Sequence, residues 1–244
     1  MATYRLDLSY DGVRFSGWAK QPGRRTVQGE LEDALQRLFG ERISLTVAGR
    51  TDSGVHAIGQ VASFATLRPP PDSLRRALNA LTGIDLAINA AGPAPDGFSA
   101  RRDAISRRYL YRIETASVPS PFERGRAMRW PYELDREALD RCAESLHGTH
   151  DFTAFTPSDS EHANLTRRVI GAAWSRESES ILRFEIEASS FLRSMVRVVT
   201  STILEVGSGR RTPDDFVRLL GGGSRPEAGE TANPHGLYLL RVAY

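Results

Sequence analysis

The feature that most restricts the fold is a fixed order of two hydrophobic periods over residues 4–90. Tyr4-Arg5-Leu6-Asp7-Leu8-Ser9-Tyr10 alternates strictly, the period of a half-buried strand. Asp11-Gly12 turns the chain into a loop from Val13 to Pro22 that carries Phe15, Trp18 and Lys20. Thr26 then caps a predicted helix with Val27, Leu31, Ala34, Leu35 and Leu38 on one stripe, stopped by Gly40. A strand through Ile43, Leu45 and Val47, a polar loop and a strand from Val61 to Ala65 follow. Pro69-Pro70-Pro71-Asp72 introduces a second helix with Leu74, Ala77, Leu78 and Leu81 on one side, and Ile84–Ala90 supplies another strand. The order β-α-β-β-α-β predicts a ferredoxin-like, RNA-recognition-type half, with helices on one face of an antiparallel sheet.

Glycine and proline crowd Ala91–Gly97, which places a divide between halves at 1–97 and 98–244. The second half repeats the first in topology. Arg107–Glu114 reads as a strand with Tyr109, Tyr111 and Ile113 on one face and Arg108 and Arg112 on the other. Asp135 starts a helix with Leu139, Cys142 and Leu146, and Val169–Trp174 pairs with the alternating stretch Leu182–Ala188. Ser190 is expected to cap a long helix through Met195, Val199, Thr202 and Val206, closed by Gly207. Thr212-Pro213-Asp214-Asp215 opens a short helix, with a cap, proline in the first turn and two early acids. Gly221-Gly222-Gly223 begins a flexible stretch before a last strand, Leu237–Val242. The expected class is α+β, the two halves joining into one continuous, mainly antiparallel sheet with a catalytic cleft between them.

No run of the 244 residues approaches the roughly 18 apolar positions of a membrane span. The chain opens on a strand-like segment rather than a signal peptide, and Cys142 is the sole cysteine, which excludes an intrachain disulfide and a cysteine-based zinc site. A cytoplasmic location without a membrane partner is the expectation. His147 and His150 form an H-x-x-H, but only five histidines exist and no third ligand is suitably spaced, so no metal is expected. Net charge is only +2, yet its distribution is distinctive: Lys20 is the single lysine, and arginines come in pairs at 24–25, 75–76, 101–102, 107–108, 167–168 and 210–211. The guanidinium fork suits phosphate and stacks on bases, so one basic face toward nucleic acid is expected, although a coding preference for arginine gives the same pattern.

Between the two middle strands of the first half lies Ala48-Gly49-Arg50-Thr51-Asp52-Ser53-Gly54-Val55-His56. One carboxylate, Asp52, stands among small residues with Arg50 two positions before it. Such a residue is either a turn former or a nucleophile or base that a ligand can approach closely.

Gly49–His56 resembles the catalytic signature of the tRNA pseudouridine synthase A family. Tyr10-Asp11-Gly12 with Gly17-Trp18, and Thr26-Val27-Gln28, resemble its opening motif and the start of its first helix. Phe98-Ser99-Ala100-Arg101 with Arg107-Arg108-Tyr109-Leu110-Tyr111 is similar to its second motif. Phe191 through Met195-Val196-Arg197, with Leu204-Glu205-Val206-Gly207, is similar to its third, and Gly236-Leu237-Tyr238-Leu239 to its last strand. Three positions depart from the pattern: Ala19 for glutamine, Ser53 for alanine and Ser201 for glycine.

The resemblance implies isomerisation of uridine to pseudouridine at positions 38, 39 and 40 of the anticodon arm of tRNA, by a homodimer needing no cofactor. It implies Asp52 as catalytic nucleophile, Arg197 as the cation keeping that carboxylate ionised, and Tyr109 against the uracil, taking the C5 proton. Arg50 would occupy the space of the flipped nucleotide or hold its phosphate. From periodicity alone, Tyr109 is a core sheet residue and Arg197 a surface residue of an amphipathic helix. Two other classes remain open on the residues: an aspartic protease, from Asp52-Ser53-Gly54, though such enzymes pair two loops, and a non-catalytic RNA-binding module.

Overall fold

The computed structural model describes residues 1–159 and 164–244 and divides the chain into two compact units. The first comprises Met1–Arg107 with Tyr238–Tyr244, the second Arg108–Leu237. Together they hold ten strands and five α-helices among the described residues, an α+β architecture with mainly antiparallel pairing.

In the first unit β1 (Ala2–Tyr10) lies between β4 (Leu86–Pro93) and β3 (His56–Thr66), antiparallel to both. Tyr4, Leu6, Leu8 and Tyr10 are buried, so the strict alternation of β1 converts directly into one core face. Helix α1 (Val27–Phe39) begins where the Thr26 hydroxyl accepts from the Gly29 N–H and ends at Gly40, φ 67°. Its stripe of Val27, Leu31, Ala34 and Leu35 is buried, as are Leu74 and Leu78 of α2 (Leu74–Leu81).

Strand β2 is only Thr46–Val47, on β3 opposite Ser63 and Ala62. Ile43 and Leu45 are buried without joining the ladder, because the Leu45 N–H is taken by the Glu32 carboxylate of α1, at 3.2 Å. Short β2 leaves the start of β3 unpaired on that side. The C-terminal strand β10 (Leu237–Ala243) fills it in parallel, setting Tyr238 opposite His56 and Leu239 opposite Ala57. Strand β4 starts later than its sequence suggests, with Ile84 fully exposed. It also runs through the glycine- and proline-rich stretch, pairing Gly92 and Pro93 with Arg5 and Tyr4. Proline is tolerated there because β4 is an edge strand. Residues 98–107 stay with this unit through Ala100 N–H to Ser63 Oγ, 3.0 Å, and Ile105 N–H to Ala243 O, 2.8 Å.

In the second unit the sheet runs β5 (Ser106–Glu114), β9 (Ile181–Ala188), β8 (Thr166–Arg176), β7 (Gly148–Asp151), with the short β6 (Met128–Arg129) parallel to β5. Trp174 opposes Phe184 across the β8–β9 pair, with ring centroids 4.7 Å apart and planes tilted by 31°. Helix α3 (Arg136–Ser145) is capped by Asp135, and α5 (Pro213–Leu220) by Thr212, whose hydroxyl accepts from the Asp215 N–H. Helix α4 (Met195–Gly207) is buried on nearly every side, and α3 packs against it. It does not start at Ser190. Ser194 sits in the left-handed region at φ 59°, which no continuing α-helix passes through, so the helix begins one residue later.

Candidate active site

Residues Ala48–Val55 link β2 to β3, and hydrogen bonds hold that loop at its root, along its length and at its end. At its root the Ala48 N–H donates to Val61 O, 2.9 Å, and the Arg107 guanidinium donates to Ala48 O through Nε and Nη2, 3.0 and 2.7 Å. Gln60 Nε2 donates to Gly49 O, 2.8 Å, and to the Tyr10 hydroxyl, 3.2 Å. The Tyr10 hydroxyl is also hydrogen-bonded to the Thr51 hydroxyl, Oγ1 at 2.8 Å. Burial pushes the Tyr10 hydroxyl up to about 12, although both hydrogen bonds oppose the shift.

The segment Gly12–Trp18 closes the other side. Trp18 N–H donates to Thr51 O, 3.0 Å, and Gly54 N–H and Ser53 Oγ both reach Phe15 O, 3.4 and 3.2 Å. The Ser53 departure therefore adds a hydrogen bond to the Phe15 carbonyl. Two glycines are required by this closeness: a Cβ on Gly12 would stand 2.0 Å from Val55 O, and one on Gly17, φ +88°, 2.9 Å from Thr51 O. The Val55 N–H closes the turn on Asp52 O, 3.2 Å. The loop thus presents Asp52, half-buried, from a backbone with little freedom, with the Arg50 side chain exposed beside it.

His56, next in the chain, is buried and stacks on Tyr238 at 4.5 Å, while its Nδ1 accepts from the Gly12 N–H, 3.1 Å. It fixes the end of the loop.

The second unit holds the other two expected residues. Tyr109 is buried on β5 and meets Phe191 edge-on at 5.0 Å. Arg197 is half-buried on α4, and its Nε donates to Ala232 O, 2.8 Å. Tyr111, two residues beyond Tyr109, is fully buried and donates its hydroxyl to Asn233 O. Burial holds that hydroxyl far above its ordinary value, and the Arg197 charge works in the opposite direction. The Ser201 departure makes its own contacts here, donating to Val198 O and to Glu230 O. Gly229 N–H donates to Thr202 Oγ1, 3.0 Å, so 229–232 is bound along α4 at three points.

Sequence reasoning singled out Asp52 and Arg50 but gave no role to Tyr10, Gly17, Trp18, Gln60 or Arg107, which hold their loop. One signal was available. Gln60 is a polar residue at the head of an apolar run. His150 Nε2 faces His147 O at 3.1 Å, and no group of three or more His, Cys, Asp or Glu among the described residues could hold a metal.

The paired arginines meet different fates. Arg25 is committed to Asp85 and Glu30, Arg108 to Glu187, and Arg211 to Glu205 and Asp215. Arg24, Arg75, Arg76, Arg101 and Arg102 are exposed and make no ion pair within the described residues.

A family model described as tRNA pseudouridine synthase matches residues 8–101 and 142–244. The chain is 44% identical over 243 residues to tRNA pseudouridine synthase A of Frankia casuarinae, covering 98% of this chain and 88% of that one. It is 42% identical to the Bacillus subtilis protein of that name, over 98% of each, and 40% identical to that of Caldicellulosiruptor bescii over the full length of both. Among solved structures, a chain of a Cbf5-Nop10-Gar1 complex aligns with 97% of this chain and 58% of its own length, at 10% identity and a TM-score of 0.35.

Proposed function

The chain belongs to the tRNA pseudouridine synthase family, isomerases that act on tRNA, and we propose that it modifies uridines 38, 39 and 40 of the anticodon arm with Asp52 as nucleophile. In this reaction the N1–C1′ bond breaks with its electron pair passing to N1. The uracil turns, C5 bonds to C1′, the C5 proton leaves, and N1 gains a proton. Nothing is oxidised or reduced. What the protein must supply is an anion at the sugar or base, a group to receive the C5 proton, and a grip on a nucleotide taken out of its stack.

The observation that carries this reading is the clamped loop presenting Asp52. A nucleophile of this kind gains much from fixed orientation. Arg50, exposed two residues away, is suited to the vacated stack or the flipped phosphate. Tyr109 receives the C5 proton and Arg197 supplies the balancing cation, roles supported by the motifs in which they stand. A substrate set of three neighbouring positions favours recognition of shape and backbone over base sequence. The same reading has the protein acting as a cytoplasmic homodimer, which sedimentation at working concentration tests.

The deciding experiment is incubation with unmodified tRNA followed by mapping of pseudouridine. Product at 38–40 from the parent protein and none from Asp52→Ala is expected. Full activity in Asp52→Ala would sink the nucleophile assignment, and product elsewhere would sink the site assignment.

A further inference from the structure

Arg107 is one of the few charged residues buried among the described residues, with 8% of its surface exposed, and its guanidinium is aimed at main-chain carbonyls. Nε and Nη2 converge on Ala48 O at 3.0 and 2.7 Å; Nη2 also reaches Arg101 O at 2.9 Å, and Nη1 reaches Ala104 O at 3.1 Å. Ala48 is the first residue of the loop that presents Asp52. Arg101 and Ala104 belong to a turn whose other groups are also fixed: Ala100 O accepts from the Tyr244 hydroxyl, 2.7 Å, and Ser99 N–H donates to Asp103 Oδ2, 2.8 Å. On that turn Arg101 and Arg102 project into solvent without an ion pair among the described residues.

We propose that Arg107 is a positioning residue for the isomerisation: one buried guanidinium locks the root of the Asp52 loop and the Arg101–Arg102 turn into a single rigid frame. This rests on the reading of Asp52 as nucleophile. The planar fork satisfies three carbonyls from two segments at fixed angles, which a flexible ammonium cannot reproduce. Two exposed guanidiniums able to hold backbone phosphate are thereby kept at a constant offset from the carboxylate. Phosphate contact then places the nucleotide for attack as well as retaining the RNA. Correct placement is worth rate: an error of about 1 Å in a reacting group costs on the order of 100-fold.

The test compares Arg107→Lys and Arg107→Met with the parent on unmodified tRNA, under steady-state kinetics, thermal unfolding and amide hydrogen exchange. For Arg107→Lys a folded protein is expected with kcat down about tenfold and KM within about threefold. Exchange should quicken at the Trp18 and Val55 amides, which bond to the loop, and stay unchanged in β1. Arg107→Met should lose more of kcat than Arg107→Lys, so that lysine counts as partial rescue. Should Arg107→Met fail to fold, Arg107→Lys decides alone. A kcat for Arg107→Lys within twofold of the parent, or a loss confined to KM, overturns the positioning role. The two readings fail separately. An active Asp52→Ala removes the nucleophile assignment, whereas an inactive Asp52→Ala beside a fully active Arg107→Lys removes only the role given to Arg107.

Discussion

Gly17 concentrates the demands of the Asp52 loop in one residue. It has φ +88°, and a side chain there would press on the backbone of Thr51 and Ser53, atoms that cannot swing away. Gly17→Ala is therefore expected to cost about 1–3 kcal/mol and to lower kcat along with stability, read by urea unfolding and by turnover on tRNA. Tyr10 is demanding in another way. Its hydroxyl joins Gln60 to Thr51, so Tyr10→Phe strips a buried partner from each and should cost about 1–2 kcal/mol. The same hydroxyl dictates an alkaline limit. Its ordinary value of 10.0 applies to the unfolded chain, and the folded value is about 12. Below pH 10 the group is neutral in both states and has no effect on stability. Between pH 10 and 12 the unfolded chain releases the proton first, so folding stability falls as pH rises. Tyr244, also raised to about 12 by burial, adds to the same slope. Unfolding free energies measured from pH 8 to 12 should show that decline, and Tyr10→Phe should flatten it.

Among the elements, α4 shows how a departure from family pattern is absorbed. Ser201 replaces a residue with no side chain, and its hydroxyl finds carbonyl acceptors on its own helix and on the crossing segment at Glu230. Ser201→Gly would restore the usual residue yet lose those bonds and place glycine in a helix interior, at a cost of about 1–2 kcal/mol. Thermal unfolding measures it, and an unchanged midpoint would show that the Glu230 contact contributes nothing. Periodicity located all five helices and most of the stripe residues it named, because the stripe itself drives helix docking; Leu81 of α2 is an exception and lies exposed. It misplaced the start of α4 because a serine before an apolar run is an ordinary cap signal, while the left-handed backbone at Ser194 leaves no mark in composition. Strand β2 was overestimated for a related reason. Ile43 and Leu45 carry the alternation of a strand, but a glutamate from α1 takes the ladder hydrogen bond.

For the molecule as a whole, total charge is a poor guide to RNA binding and the fate of each guanidinium a better one. Arginines 25, 108 and 211 are spent on carboxylates and 107 on carbonyls, whereas both members of Arg75–Arg76 and of Arg101–Arg102 are exposed and make no ion pair among the described residues. Replacing Arg101 and Arg102 by alanine is expected to weaken tRNA binding at low salt and to reduce the slope of log K against log salt by about 1–2. Filter binding between 50 and 300 mM salt tests this, and the Arg25→Ala control should leave the slope unaltered. The sequence by itself determined the α+β class, the family and the order of the longer elements, though not the short β6 and β7, because hydrophobic period, caps and contiguous motifs are properties of neighbouring residues. It marked Gly49–His56 for the same reason. Only the tertiary structure decided what holds that loop, since Tyr10, Gly17, Gln60 and Arg107 are far apart in the chain and meet through backbone geometry. It likewise decided that the last strand belongs with the first unit, a pairing that depends on β2 stopping after two residues and exposing the β3 edge. A hydrogen-bond edge left open by one element and filled by another from the opposite end of the chain has no local signature.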